Sequence, residues 1–416
     1  MMKYIKKWSE TSLILRIILG LIVGTILALT VPQLSGIGIL GDLFVGILKA
    51  IAPFLVFFII MSVIPKTSSN LGSRFKLVIT LYLLSMMLAA IVSVTASFLF
   101  PVSVPLTASV DPSSSGAPLA IGSVFSKILT DMISNPVTAL IEGKYISILF
   151  WAIVFGLSFK KVASENTLEL LEEFSNMISH CVRMIIQLAP FGIMGIIFKT
   201  ITENGLDIFI SYGQLLALIV GCVLIVALVT DPFLSAITLR RNPYPLVLTC
   251  IKESGITAFF TRSSAANIPV NLELCRRLGL DENFYGISIP LGSTINMEGA
   301  AITITIMTLA TCHSMGIAIN FPTTVILCII TVLAACGASG IAGGSLLLIP
   351  KACSLFGISQ DISMHVVAIG FIIGVVQDSF ETALNSAGDA ILTSTAEYKE
   401  RMNEGRDLNF LGEFAK

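Results

Sequence analysis

Charge is what this sequence has least of. Of its 416 residues only 12% are Asp, Glu, Lys or Arg, about half the share usual in a soluble domain. That is too few to cover the surface of a soluble protein of this length. With 55% hydrophobic residues, intrinsic disorder is excluded, since its signature is low hydrophobicity. A net charge of −1 offers no basic field for nucleic acid. No Cys-x-x-Cys pair occurs among Cys181, Cys222, Cys250, Cys275, Cys312, Cys328, Cys336 and Cys353. They read as small core residues and not as a disulfide framework or a zinc site. No A-x-A site ends the apolar run that begins at Ser12. Further spans follow it, so it reads as a first transmembrane helix and not as a cleaved signal peptide.

What is abundant is apolar length. Runs long enough to cross a bilayer lie near 13–32, 43–64, 77–100, 145–159, 174–198, 207–230, 283–311 and 362–393. The fold expected is an all-α polytopic membrane protein with these eight transmembrane helices. Two more apolar stretches, 244–275 and 322–356, are broken by small and polar residues. The breaks are Thr261-Arg262-Ser263-Ser264-Ala265-Ala266-Asn267 and Gly337-Ala338-Ser339-Gly340-Ile341-Ala342-Gly343-Gly344-Ser345.

Charge placement tests this topology. With a cytoplasmic N-terminus and both broken stretches entering and leaving on one side, sixteen cations fall inside: Lys3, Lys6, Lys7, Lys66, Arg74, Lys76, Lys160, Lys161, Arg240, Arg241, Arg276, Arg277, Lys399, Arg401, Arg406 and Lys416. Four fall outside: Lys127, Lys144, Lys199 and Lys351. That is a strong positive-inside bias, and it weakens if either broken stretch crosses once. Both are therefore expected to be re-entrant hairpins, the first open to the cytoplasm and the second to the outside. Their non-helical tips must be buried in protein. Hairpins of opposite orientation, each followed by a polar-centred span, suggest an inverted repeat. In secondary transporters that pattern points to the binding site. The segment 101–140, rich in Pro, Ser and Thr, reads as an outside loop without assigned chemistry.

The span 362–393 carries Asp378, Thr382, Asn385 and Asp389, spaced four, three and four apart and so on one helix face. Carboxylates at membrane depth normally face a partner or a cavity. Oxygen-rich faces suit small hard cations, and a carboxylate also suits an ammonium group. The plainer alternative is interhelical hydrogen bonding. In the preceding span Gly292 and Gly299 weaken the helix around Thr294, Asn296 and Met297. An unwound turn there would free carbonyls for sodium; a close helix crossing over glycine is the alternative. At the tips, Ser263, Ser264, Gly343 and Gly344 sit where half-helices meet, whose N-termini attract a carboxylate. A tight turn needs the same residues. Together the parts match an amino-acid zwitterion, with sodium offsetting the leftover buried negative charge.

These residues resemble the dicarboxylate/amino-acid:cation symporter family, which has the glutamate-transporter fold. The resemblance covers essentially the whole chain and is closest to the bacterial branch of serine/threonine:sodium symporters. The Ser-rich first tip, the Asn-Met-x-Gly turn, the Gly-rich second tip and Asp-x-x-x-Thr-x-x-Asn-x-x-Gly-Asp carry it. It implies that Asp378 holds the substrate amino group, that Asn385 bonds its carboxylate with help from Ser264, and that Thr382 lines the side-chain pocket. Ser263, Ile341, Gly343 and Glu381 complete the substrate-binding set it implies. Gly292, Asn296, Asn385 and Asp389 match one sodium site. Thr294, Met297, Ala335, Cys336 and Ala338 match a second, built largely from backbone carbonyls. Sodium is the implied coupling ion, and no enzyme activity is expected.

The resemblance also implies a homotrimer in the bacterial inner membrane with both termini cytoplasmic. Residues 10–75 and 101–235 would form mainly a fixed scaffold. Residues 76–100 and 242–395 would form a transport domain that slides as an elevator, and 396–416 a cytoplasmic tail. Two departures from the family pattern stand out. Members that carry acidic substrates have an arginine where this chain has Glu381, and an arginine fork is what grips a side-chain carboxylate. The pocket is therefore expected to favour serine and threonine over aspartate. Arg262 is within reach of Glu381 as a salt-bridge partner. The Asp of the family's Asn-Met-Asp-Gly motif is Glu298 here, followed after Gly299 by Ala300 in place of Thr. That leaves only Ser85 and Glu298 for a third sodium site.

Two rival functions remain. Gly337-Ala338-Ser339-Gly340 spells the GxSG of rhomboid-type intramembrane proteases, with His365 downstream as a base, but it leaves Asp378, Asp389 and the first hairpin without a role. A cation channel also uses carbonyl-lined re-entrant loops, but has no need of an ammonium-matching Asp378. His180 and His313 read as interfacial or packing residues, and Arg183 as a partner to a lipid head group or carboxylate.

Overall fold

Long apolar stretches with buried backbone leave the chain one economical solution, the helix. The structure, a computed structural model, describes residues 11, 13–66, 73–106, 133–142, 145–206, 208–336, 338, 343–406 and 408–415. Among these residues there is no strand. In chain order the helices are α1 Leu13–Thr30, α2 Gly38–Lys66, α3 Ser73–Leu99, α4 Pro136–Glu142, α5 Tyr145–Val162, α6 Glu165–Ile186, α7 Ala189–Asn204, α8 Ile208–Ile225 and α9 Asp231–Leu239. They continue as α10 Tyr244–Cys250, α11 Ile256–Thr261, α12 Ser264–Arg277, α13 Glu282–Ile295, α14 Glu298–Ser314, α15 Phe321–Ala335, α16 Ile349–Ser354 and α17 Gln360–Asn403.

Four helical stretches among the described residues are long and apolar enough to cross a bilayer: Ser73–Leu99, Ile210–Leu239, Glu282–Ser314 and Gln360–Asn403. Apolar side chains also face outward. Leu15, Ile18, Ile22, Ile26 and Leu29 make an exposed stripe along α1, the reverse of a soluble surface helix. Polar residues instead face in: Thr303, Thr305, Thr308 and Thr311 of α14 are fully buried.

Several expected boundaries move. The run 174–198 is two helices, α6 and α7, with Pro190 in the first turn of α7, where its missing N–H costs no bond. The run 207–230 continues through a π-type turn at Val226–Thr230 into α9. The run 283–311 breaks between α13 and α14 at Asn296–Met297. The run 362–393 is the middle of one uninterrupted helix of 44 residues. Lys351, counted above as an outside charge, is fully buried. Lys3, Lys6, Lys7, Lys127, Lys144 and Lys416, and most of the 101–140 segment, lie outside the described residues.

Both broken stretches double back. Before α10, the Arg241 guanidinium lies 6.0 Å from the centre of the Phe410 ring, and at the end of α12 that of Arg277 lies 4.1 Å from the centre of the Phe414 ring. Both ends of the first stretch thus lie against the C-terminal segment, and the chain reverses at Arg262–Ser263. In the second stretch, Thr331 of α15 lies 3.4 Å from Thr305, and the Cys353 Sγ of α16 lies 3.9 Å from the Thr308 hydroxyl. Both of its limbs therefore run beside α14. The two tips converge on α17. Arg262 donates to the Gly374 carbonyl at 3.3 Å, and the Gly343 N–H donates to Asp378 at 3.3 Å.

Packing divides the helices into two groups. Helices α1, α2, α5, α6 and α7 pack mainly on one another. Helices α3 and α10 to α17 surround α14 and α17, and α8 and α9 pack against α17.

Candidate substrate and cation site

The site grows from one face of α17. Asp378, Thr382, Asn385 and Asp389 are all buried there, as their spacing requires. Asp378 lies between the tips: its Oδ2 accepts from Arg262 Nε at 2.8 Å and its Oδ1 from the Gly343 amide. Arg262 holds this position from a left-handed backbone (φ 52°) that ends α11. The expected reach of Arg262 to Glu381 is not what the structure has; its partner is Asp378. The reason is geometric. The tip crosses α17 at Gly374–Asp378, one helical turn before Glu381.

Glu381 is instead held from three sides. Its Oε2 accepts from Thr303 at 2.8 Å, from Ser345 at 2.9 Å, and from Gln377. Thr303 and Ser345 belong to α14 and to the return limb of the second hairpin, so Glu381 ties both to α17. Close approach makes this possible. A Cβ on Gly299 would stand 2.7 Å from the Glu381 Cα.

At the first tip, the Ser263 hydroxyl caps α12 by accepting from the Ala266 N–H at 3.2 Å. Ser264, buried, is the first residue of that helix. Its amide and that of Ala265 belong to the orphan N–H groups of a helix start, which suit an anion. Gly343 has φ 72°, a conformation that glycine adopts without cost. Ile341 and the residues Gly337, Ser339 and Gly340 lie outside the described residues.

The break between α13 and α14 faces the lower part of this surface. Asn296 donates to Asp389 Oδ1 at 3.1 Å, and Asn385 accepts from the Gly299 N–H at 2.8 Å. A Cβ on Gly292 would stand 2.7 Å from Asp389 Oδ1, so the glycine lets the carboxylate approach the α13 backbone. Asp389 Oδ2 and Asn296 Oδ1 are buried with no hydrogen-bond partner. Orphaned oxygens at this depth fit a small hard cation. The second expected sodium set is also brought together. The Cys336 Sγ lies 3.6 Å from the Ile295 carbonyl, joining residues 294–297 to 335–338. The Met297 sulfur accepts from Asn385 at 3.3 Å. Thr294 returns its own hydroxyl to the Leu291 carbonyl.

One residue of the site is absent from the sequence reading. Asp231, fully buried, accepts from Ser85 at 2.8 Å and is an electrostatic neighbour of the buried Glu298. Asp231 Oδ2 and both Glu298 oxygens have no hydrogen-bond partner. The signal was present: an acidic residue directly after an apolar run, before Pro232. The apolar run 207–230 stops one residue short of it.

Apolar outer faces, a broken helix and carboxylates buried between two doubled-back tips fit a membrane transporter. Comparison with known proteins makes this specific: the chain belongs to the sodium:dicarboxylate symporter family, whose model matches residues 13–398. It is 52% identical over 403 residues to the serine/threonine transporter SstT of Bifidobacterium adolescentis, covering 96% of this chain and 93% of that one. It is 51% identical over 397 residues to the protein of the same name from Streptococcus thermophilus, and 49% over 399 to that from Streptococcus agalactiae, each covering 95% of this chain and 98% of the relative. All eight cysteines are free; six are buried, and Cys181 and Cys336 are only partly so.

Proposed function

We propose that this protein is a sodium-coupled symporter that imports L-serine and L-threonine across a bacterial inner membrane. The observation that carries the proposal is Asp378, a buried carboxylate at the meeting point of two helix-hairpin tips, with Glu381 and no arginine one turn further along. The substrate ammonium binds Asp378 and takes over part of the role that Arg262 plays there. The substrate carboxylate binds Asn385 and the N–H groups at Ser264, beside the Ser263 cap. Thr382, Gly343 and Ile341 border the side chain. Glu381 spends Oε2 on Thr303, Ser345 and Gln377. Its Oε1 then remains for the substrate hydroxyl, and a second carboxylate there meets Glu381 where an arginine would be needed to grip it.

Sodium is the co-transported ion. Gly292, Asn296, Asn385 and Asp389 hold one sodium, and the carbonyls of Thr294, Met297, Ala335, Cys336 and Ala338 form a second cation set. Ser85, Glu298 and Asp231 make a further oxygen cluster, in which Asp231 supplies what Ala300 cannot. Each cation offsets buried negative charge, which makes substrate and ion binding mutually favourable.

Eight spans and two oppositely oriented re-entrant hairpins frame this site. Residues 10–75 and most of 101–235 form the scaffold of a homotrimer. Residues 76–100 and 242–395 form the part that slides as an elevator. Residues 231–239 travel with that part, because Asp231 bonds Ser85 and Ser235 lies 3.0 Å from Thr395. Both termini face the cytoplasm, with 396–416 as a tail. The test is a competition panel in proteoliposomes: labelled serine uptake, with inward sodium or with potassium alone, against unlabelled serine, threonine, alanine, aspartate and glutamate. Serine and threonine should compete best and only sodium should drive uptake. Equal competition by aspartate would sink the substrate assignment.

A further inference from the structure

The second tip reaches both acids of the pocket. The Gly343 N–H donates to Asp378 at 3.3 Å, and the Ser345 hydroxyl donates to Glu381 Oε2 at 2.9 Å. Ser345 opens the short 3₁₀ turn Ser345–Leu348, and glycines let this limb settle on α17. A Cβ on Gly370 would stand 2.6 Å from the Leu346 Cδ2, and a Cβ on Gly343 would stand 2.9 Å from the Phe371 ring. Ser345 and Glu381 are both buried, where a polar group without a partner is costly. The other two donors to Glu381 do not come from a hairpin. Gln377 lies on α17 itself, and Thr303 lies on α14. Gln377 also donates to the Thr303 hydroxyl at 2.8 Å, so these two brace one another as well as Glu381. A substrate held by Asp378 and Asn385 lies beneath the tips, and a tip must lift to admit it. The first hairpin is fastened at its far end, just past α12. There Tyr398 donates to the Leu278 carbonyl at 3.0 Å and Arg401 to the Gly279 carbonyl at 2.7 Å. The second is held to the acids of α17 by the Gly343 and Ser345 bonds.

We infer that Ser345 is a positioning residue of this transporter: its hydroxyl fastens the second tip to Glu381 when that tip is seated over the substrate. The inference rests on the symporter reading and deepens it. Glu381 then serves two partners, the substrate hydroxyl through Oε1 and the tip through Oε2. When the tip lifts, Thr303 and Gln377 still hold Glu381, whereas Ser345 exchanges its acid for water. The bond exists only with the tip seated. It therefore slows the departure of a bound substrate and leaves its entry unaffected.

The test is serine binding kinetics on the purified full chain in detergent, at saturating sodium and without sodium, with a thermal melt of each sample. Wild type is compared with Ser345→Ala, Ser345→Cys and Ser345→Thr. Alanine removes the donor. Cysteine nearly keeps the volume with only a weak donor, and it decides the matter if the alanine variant does not fold. Threonine restores the hydroxyl. Loss of one buried hydrogen bond should raise the dissociation rate of serine about 5- to 20-fold in the alanine and cysteine variants. The association rate should stay within about twofold of wild type, and the threonine variant within about threefold in both rates. A folded alanine or cysteine variant with the wild-type dissociation rate overturns the inference and leaves the symporter reading intact. So does a fall in the association rate alone, which marks a smaller competent fraction and a merely structural role. A threonine variant that folds yet releases serine as fast as the alanine variant does the same. Wild-type protein that binds serine equally well without sodium overturns the symporter reading, on a measurement separate from the Ser345 comparison.

Discussion

Replacing Asp378 by Asn keeps the shape of the central side chain and removes its charge. In the structure Asp378 accepts from Arg262 Nε at 2.8 Å and from the Gly343 N–H at 3.3 Å, and both side chains of the ion pair are buried. An amide offers one acceptor, so one of these donors then faces an NH2 group. Losing one partner of a buried charge pair costs about 2–5 kcal/mol, and the substrate ammonium suffers that loss. Part of it is offset, because binding to the variant no longer has to draw Asp378 away from Arg262. A net loss of about 1.4–3 kcal/mol corresponds to serine binding weaker by about 10- to 150-fold. The assay is a serine titration of the purified protein at saturating sodium, with a thermal melt of the same sample to check folding. A folded variant that binds serine within about threefold of wild type, on a scale where 1.4 kcal/mol is tenfold, would refute the assignment of Asp378 to the ammonium.

Three further outcomes follow from the same geometry. Asp389→Asn should raise the sodium concentration for half-maximal uptake more than it raises that of serine, since Asp389 Oδ2 is an orphaned oxygen facing the α13–α14 break; a fixed sodium requirement with altered serine affinity would move Asp389 into the substrate shell. Glu381→Arg should lower serine uptake and admit aspartate, while wild-type uptake of aspartate equal to that of serine contradicts the role given to Glu381. Gly299→Ala should lower the melting temperature and the yield of folded protein, because its Cβ meets the Glu381 backbone at 2.7 Å; overpacking of this kind costs about 1–3 kcal/mol, and an unchanged melt would show that α14 and α17 can separate there freely.

Much of the arrangement was legible wherever it is local. The 378, 382, 385, 389 spacing reads as one face because α17 is unbroken across it. Gly292 and Gly299 bracket the true break at Asn296–Met297, since weak helix propensity and the loss of intrahelical bonds are properties of neighbouring residues. The two polar interruptions likewise fall where the chain turns back. What stayed hidden depends on partners far apart in sequence. Arg262 and Asp378 are separated by 116 residues, and which acid the arginine reaches is decided by where the tip crosses α17. Asp231 is hidden in the sequence because an apolar run ends at its first charge, whereas the helix continues through a π-type turn to Leu239. The burial of Lys351 is equally hidden, because sequence alone does not tell a snorkelling lysine from a buried one.

The most direct measurement of sodium-coupled serine transport is accumulation against a gradient. Proteoliposomes are loaded with a low concentration of labelled serine, placed in the same concentration outside, and given an inward sodium gradient with the membrane potential clamped. Internal serine should rise above external and fall back when sodium equilibrates. Serine that only equilibrates, at the same rate with sodium on either side, would contradict symport and leave the buried carboxylates and the paired hairpin tips without the function assigned to them.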